Sequence, residues 1–310
     1  LRDAYPKFEE AGIALYAISY DDREALAEFG KHQKIPYPLL SDADSRAIRD
    51  FGILNLEASR GDAFLEGLPY PGVYVTDERG EVTAKFFHGS HQRRDSPEMF
   101  IDAALGRVTF SMDEFAATGG DEEEVRISSF VRGGNGKLRF GMRRQLITRF
   151  ELGPGTHIYG QPVPEGMVPA TVSVSSTSQL VFEEPIYPST EPLRLESMGM
   201  TLPVWSGLID VIIPFYADSS FGDPSADFNS GSVELTVSVR YQACDDEVCF
   251  LPKTESFTIQ IELDALDVPN IDAETREGHV ANFDGNPHLR RLIERKLAAK
   301  SHDADQPADS

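Results

Sequence analysis

RYQACDDEVCFLPKT, residues 240–254, holds both cysteines of this 310-residue chain, Cys244 and Cys249. Four residues separate the thiols, enough for a β-turn to return the chain and bring the two Cβ atoms within disulfide reach. A bond across so short a loop gains only about 2 kcal/mol from chain entropy, and a purely structural bridge would gain more by joining distant strands. An inert hairpin staple, or two reduced thiols, stays open as an alternative because the pair is small and local. Zinc would require further ligands, and no CxxC or HxxxH pattern stands nearby. Asp245, Asp246 and Glu247 put negative charge beside both sulfurs, which disfavours thiolate. Such a pair is a slow free nucleophile. It depends on a docked partner to exclude water and supply an activated thiolate, which suits a relay better than a peroxidase.

Around this stretch, from Val125 to about Leu263, helical period is almost absent. Short β-rich runs replace it: VRISSFV, KLRFGM, QLITRFEL, ATVSVSS, LIDVIIPFYA, VELTVSVRYQA and SFTIQIEL. Turn residues separate them at the spacing of a two-sheet β-sandwich, expected over 125–263. Before it, residues 108–124 contain Gly-Gly and four consecutive acids and read as a solvated acidic linker. After it, 264–310 offers one basic helix, GNPHLRRLIERKLAAK, and a polar tail expected to be disordered.

Residues 1–107 alternate helix and strand and form the first expected domain. LRDAYPKFEE is an amphipathic helix, and IALYAISY (13–20) a buried strand. Asp21 and Asp22 are N-cap candidates for a helix through DREALAEFGKHQ, and SDADSRAIRDFG is a short helix closed by Gly52. VYVTDERGEVTAKFF (73–87) reads as a hairpin turning at Glu78 to Gly80, and Ser96-Pro97 as N-cap and N1 of a last helix.

Composition narrows the function classes. Hydrophobic residues are 40% and charged residues 26% of the chain, and no window approaches the roughly 18 apolar residues of a membrane-spanning helix. A net charge of -22 repels polyanions, so nucleic acid is excluded as a natural partner. No GxxxxGK[ST], GxSxG or HExxH motif occurs, which leaves nucleotide, serine-hydrolase and zincin chemistry without support, and no cofactor is expected.

KFEEAGIALYAIS, YPLLSD with the helix after it, and LPYPGVYVTDERGEV resemble the AhpC/TSA and redoxin branch of the thioredoxin-like superfamily. The resemblance implies an α/β thioredoxin-like domain in which a proline, here Pro71, precedes the hairpin strand, commonly in cis, beside the active cysteine. It also implies that the reactive cysteine and a central strand would fall upstream of Leu1, so the segment is expected to be incomplete at its N-terminus, unless another segment fills the gap. Direct pairing of 13–20 with 73–77 would contradict this.

YQACDDEVCFLPKT, with GPGTHIYGQPVPEG and EEPIYPSTEP, resembles the N-terminal domain of the thiol:disulfide interchange protein DsbD. That family is an immunoglobulin-like sandwich that passes electrons to periplasmic disulfide isomerases and related acceptors. Here the spacing is C-x4-C, one residue shorter than expected of the DsbD domain itself. The resemblance implies that Cys249 attacks an acceptor disulfide and Cys244 resolves the mixed disulfide, with Tyr241, Gln242, Phe250, Pro252, His157 and Tyr159 lining the site. Met198-Gly199 falls where the family carries a capping loop. The implied partners are thioredoxin-like or other disulfide-bearing redox proteins, and the implied location is the bacterial envelope or periplasm, the cytoplasm being the alternative. Thiol-disulfide electron transfer is the leading functional expectation. A peroxide reductase with its cysteine upstream of this chain, or a binding module with a passive disulfide, are the others. Outside the pair, Trp205 reads as core, and His88 and His91 as solvated histidines without a carboxylate constellation.

Overall fold

The computed structural model describes residues 1–56, 67–89, 93–108, 117–121, 125–195, 199–217, 231–245 and 248–263. They form two compact units, one within Leu1–Phe87 and the other within His88–Leu266.

In the first unit the helices are α1 (Tyr5–Glu10), α2 (Arg23–His32) and α3 (Arg46–Asp50). The strands are β1 (Ala17–Ser19), β2 (Leu39–Ser41), β3 (Gly72–Thr76) and β4 (Val82–Phe87). Asp22 caps α2 as expected, accepting the Ala25 N–H at 2.8 Å. For α3 the cap is Asp42, whose carboxylate accepts from the amides of Arg46, Ala47 and Ile48. Gly52 follows α3 with φ 69°, the left-handed value that favours glycine. β3 and β4 make the expected hairpin, and Gly80 takes φ 82° in its turn. β1 pairs in parallel with β2, a strand not read from the sequence, and β3 pairs with β4. Among the described residues β1 and β3 are not paired with each other.

The second unit is a sandwich. β10 (Thr171–Ser176), β15 (Ser232–Tyr241) and β17 (Lys253–Glu262) form one antiparallel sheet. The larger sheet runs β11 (Leu180–Phe182), β14 (Leu208–Ala217), β8 (Met142–Leu152), β7 (Val125–Arg132) and β6 (Ala117–Asp121). A third sheet orders β12 (Glu191–Leu195), β13 (Met200–Ser206), β9 (His157–Tyr159) and β16 (Ala243–Cys244). On β15, Val233, Leu235, Val237, Val239 and Tyr241 are buried while Glu234 and Arg240 are exposed, the period-two signature of a strand with one face on the core. They join Ile127, Leu146, Phe150, Ile213 and Phe215 of the larger sheet and Ile259 and Ile261 of β17 in one apolar cluster. Burying each such side chain contributes about 1.5–3 kcal/mol.

Two sequence expectations are corrected. KLRFGM is not a strand: Leu138 bridges Leu263, and Gly141 turns the chain with φ 70° before β8 begins at Met142. Part of the expected linker is the edge strand β6, antiparallel to β7, because backbone pairing requires no apolar side chains. The two compact units divide after Phe87. β5 (Arg94–Asp95) pairs in parallel with β8, and α4 (Pro97–Leu105) carries Asp102, which binds Arg132 of β7 through both guanidinium nitrogens. His88, expected to be solvated, lies with Nε2 2.6 Å from Asp95 Oδ2, and Asp95 in turn accepts from Arg143, which also binds Glu183. Burial alone would weaken the hold of Arg143 on its proton, but the hydrogen bonds and charges of Glu183 and Asp95 outweigh it and raise its pKa. His91, Met198 and the expected helix and tail of 264–310 lie outside the described residues.

Candidate functional site

β9 lies between β13 and β16, with Tyr159 opposite Val204 on one side and His157 opposite Cys244 on the other. Alternation along β9 sends Ile158 into the main core. Tyr159 belongs instead to a smaller cluster with Leu202, Val204 and Cys244. Cys244 is therefore buried, at 1% exposure, whereas Cys249 is exposed. The two are disulfide-bonded.

The Tyr159 hydroxyl lies 3.2 Å from Cys244 Sγ and 3.3 Å from Cys249 Sγ. Disulfide sulfurs carry no hydrogen, so the hydroxyl is the donor. Burial raises the Tyr159 pKa, which keeps that proton in place. The His157 ring meets Tyr159 edge-on, with centroids 5.7 Å apart, and is itself buried. The two aromatic residues are thus brought to the cysteines from a strand far away in sequence.

The remaining site expectations separate into groups. Gln242 ties the site together: its Nε2 donates to Phe250 O at 3.0 Å and its Oε1 accepts from Val168 N–H at 3.1 Å. Phe250 packs against the main core, and Pro252 is exposed. Tyr241 belongs to that core too, edge-on to Phe150 and hydrogen-bonded to Glu255 at 2.8 Å. These contacts anchor the end of β15. Trp205 is core as expected, stacked on Tyr187 and donating to Pro188 O. Pro71 stands immediately before β3 in the first unit, and the cis peptide among the described residues is Gln161–Pro162. Val248 and Leu251, exposed at 55% and 85%, stand close to Cys249 in the chain and add apolar surface there; their adjacency to the cysteine is the signal the sequence carries for them.

With the geometry in hand, residues 1–85 match the AhpC/TSA family model, and residues 137–261 match that of the thiol:disulfide interchange protein DsbD, N-terminal. The chain is thus similar to a redoxin over its first part and to a DsbD N-terminal domain over its second. The redoxin side is 36% identical over 104 residues to the chloroplastic peroxiredoxin Q of Arabidopsis thaliana, an alignment covering 34% of this chain and 43% of that protein. The chain thus spans less than half the length of that relative. Among solved structures, the DsbD N-terminal domain of Neisseria meningitidis in the reduced form is 15% identical, with TM-score 0.24, over 38% of this chain and 82% of that one. The N-terminal periplasmic domain of ScsB from Proteus mirabilis is 14% identical, with TM-score 0.29, over 58% and 57%.

Within the DsbD-type domain, Tyr159→Phe keeps the ring and removes the hydroxyl from both sulfurs. A donor of this kind stabilises a thiolate, so its loss is expected to raise the pKa of the more exposed thiol by about one to two units, the worth of one hydrogen bond to a charged group. The pH profile of iodoacetamide alkylation of the reduced protein reads this directly. An unmoved profile would mean that the hydroxyl does not reach the reduced sulfur.

Proposed function

We propose that this chain is a thiol-disulfide electron-transfer protein whose redox centre is the Cys244–Cys249 pair. The observation that carries the reading is the asymmetry of the pair: Cys249 is exposed between apolar Val248 and Leu251, and Cys244 is buried beneath it against Tyr159. An exposed sulfur can meet a partner's sulfur, and a buried one in contact with it can resolve the resulting mixed disulfide. The apolar flanks would exclude water around that exchange. The match to the DsbD N-terminal family supports the same reading.

Thioredoxin-like or other disulfide-bearing proteins are the partners proposed, and the bacterial cell envelope is the proposed location, since disulfide traffic is sustained there. Among the described residues no helix is long and apolar enough to cross a membrane. The similarity of the redoxin segment to peroxiredoxin Q favours a second reading, in which the segment serves peroxide reduction and the pair supplies its electrons.

Equilibration of the full chain in glutathione redox buffers tests the proposal. A relay pair should be reduced while the protein stays folded, at a potential more oxidising than about -300 mV, beyond which structural disulfides resist glutathione. Reduction only after denaturation would leave the staple reading standing.

A further inference from the structure

Cys244 and Cys249 face each other as an antiparallel bridge. On one side of them the Phe250 N–H donates to Ala243 O at 2.9 Å, and on the other the Asp245 N–H donates to Val248 O at 3.0 Å. The cysteines therefore occupy the non-hydrogen-bonded position between two hydrogen-bonded pairs, the position where facing side chains stand closest. The C-x4-C spacing makes this possible, because an even number of intervening residues lets the two strands stay in register across the turn.

The turn has its own clamp. Asp245 Oδ1 accepts the Val248 N–H at 2.6 Å, a hydrogen bond to a charged acceptor and so stronger than a neutral one. Behind the cysteines, Gln242 holds Phe250 and Val168. None of these bonds involves a sulfur atom, so breaking the disulfide removes no donor or acceptor from any of them.

We propose that Asp245 is a positioning residue for the redox pair: by closing the turn, its carboxylate keeps Cys244 and Cys249 opposed after reduction and favours re-formation of the disulfide. This rests on the thiol-disulfide reading above. In that reaction the Cys249 thiolate attacks an acceptor disulfide and expels one acceptor sulfur as thiolate. The Cys244 thiolate then attacks Cys249 Sγ, breaks the mixed disulfide and expels the second. The pair gives up two electrons and two protons, and the acceptor takes up both. The second attack is intramolecular, so its rate and its equilibrium follow the effective concentration of Cys244 at Cys249. On the rate of that attack Asp245 acts in the opposite sense through its charge, which discourages thiolate; on the equilibrium, discouraging the reduced thiolate works in the same sense as the clamp. The clamp and the charge are separable because asparagine retains the Oδ1 acceptor and loses only the charge.

The test measures the equilibrium constant of the pair against glutathione in the full chain. Asp245→Ala should lower the constant for disulfide formation about tenfold, the worth of one hydrogen bond to a charged group, equivalent to a potential about 30 mV more oxidising. Asp245→Asn should stay within about twofold of the parent, as expected when the acceptor is preserved. An Ala variant equal to the parent overturns the proposal, and so does an Asn variant shifted as far as Ala, which would assign the effect to charge. Should the Ala variant fail to fold, the parent decides: amide exchange at Val248 should remain slow in the reduced protein, and fast exchange after reduction sinks the clamp. A parent pair that is not reduced at all in the folded state refutes the underlying reading instead, and this proposal with it.

Discussion

Cys249→Ser should reduce electron transfer to a disulfide-bearing thioredoxin-fold acceptor to the uncatalysed background, whereas Cys244→Ser should accumulate a mixed disulfide through Cys249. The expectation follows from exposure. Cys249 is the sulfur that solvent reaches, and Cys244, 1% exposed, sits in an apolar cluster beneath Tyr159. An acceptor disulfide can be attacked in line by the first and not by the second. Both variants also lose a bond worth about 2 kcal/mol in so short a loop. The proper reference is therefore the reduced parent, whose stability lacks the same bond. Non-reducing electrophoresis and mass spectrometry of the trapped species read the outcome. Full transfer by the Cys249 variant, together with no trapped species from the Cys244 variant, would reverse the assignment or remove the pair from the chemistry.

How much of this was legible without coordinates differs by element, for identifiable reasons. β15 declares itself, since alternate apolar residues from Val233 to Tyr241 match a strand with one buried face. β12 and β13 were not read, and their prolines explain why: Pro192 and Pro203 break the local strand signal. In the fold these two face each other in register, at a position where neither strand needs the other's N–H. The cysteine pair was legible from spacing, whereas Tyr159 over its sulfurs was reached only through resemblance. Nothing local connects residue 159 to residue 249; the pairing of β9 with β16 creates the contact. Charge partners were least legible. Asp102 and Arg132 are 30 residues apart, and Asp95 and Arg143 are 48 apart, and neither pair leaves a periodic trace in the sequence. That is why His88 read as solvated.

Asp102→Ala should be the most destabilising single substitution on the outer face of the sandwich, at about 3–5 kcal/mol, the cost of leaving a buried charge without its partner. The side chain of Arg132 is 3% exposed and that of Asp102 12%. Arg132 donates to Asp102 through both terminal nitrogens, and to Gln145 at 3.1 Å. After the substitution, Gln145 remains as a neutral acceptor of one of those donors, too little to replace a carboxylate. The pair itself contributes less than its loss costs, because both ions had to be desolvated on folding. A double variant, Asp102→Ala with Arg132→Met, should therefore recover most of the stability by removing the stranded charge. Urea unfolding of the parent, the single variants and the double variant gives the cycle. Additive losses in the double variant would mean that α4 is held by its apolar residues Met99, Phe100 and Ile101 and not by this ion pair. With the ion pair in control, any fragment of the sandwich that begins at Val125 lacks both Asp95 and Asp102. It takes Asp95 from Arg143 and Asp102 from Arg132, and it should unfold at lower urea than a fragment that begins at His88.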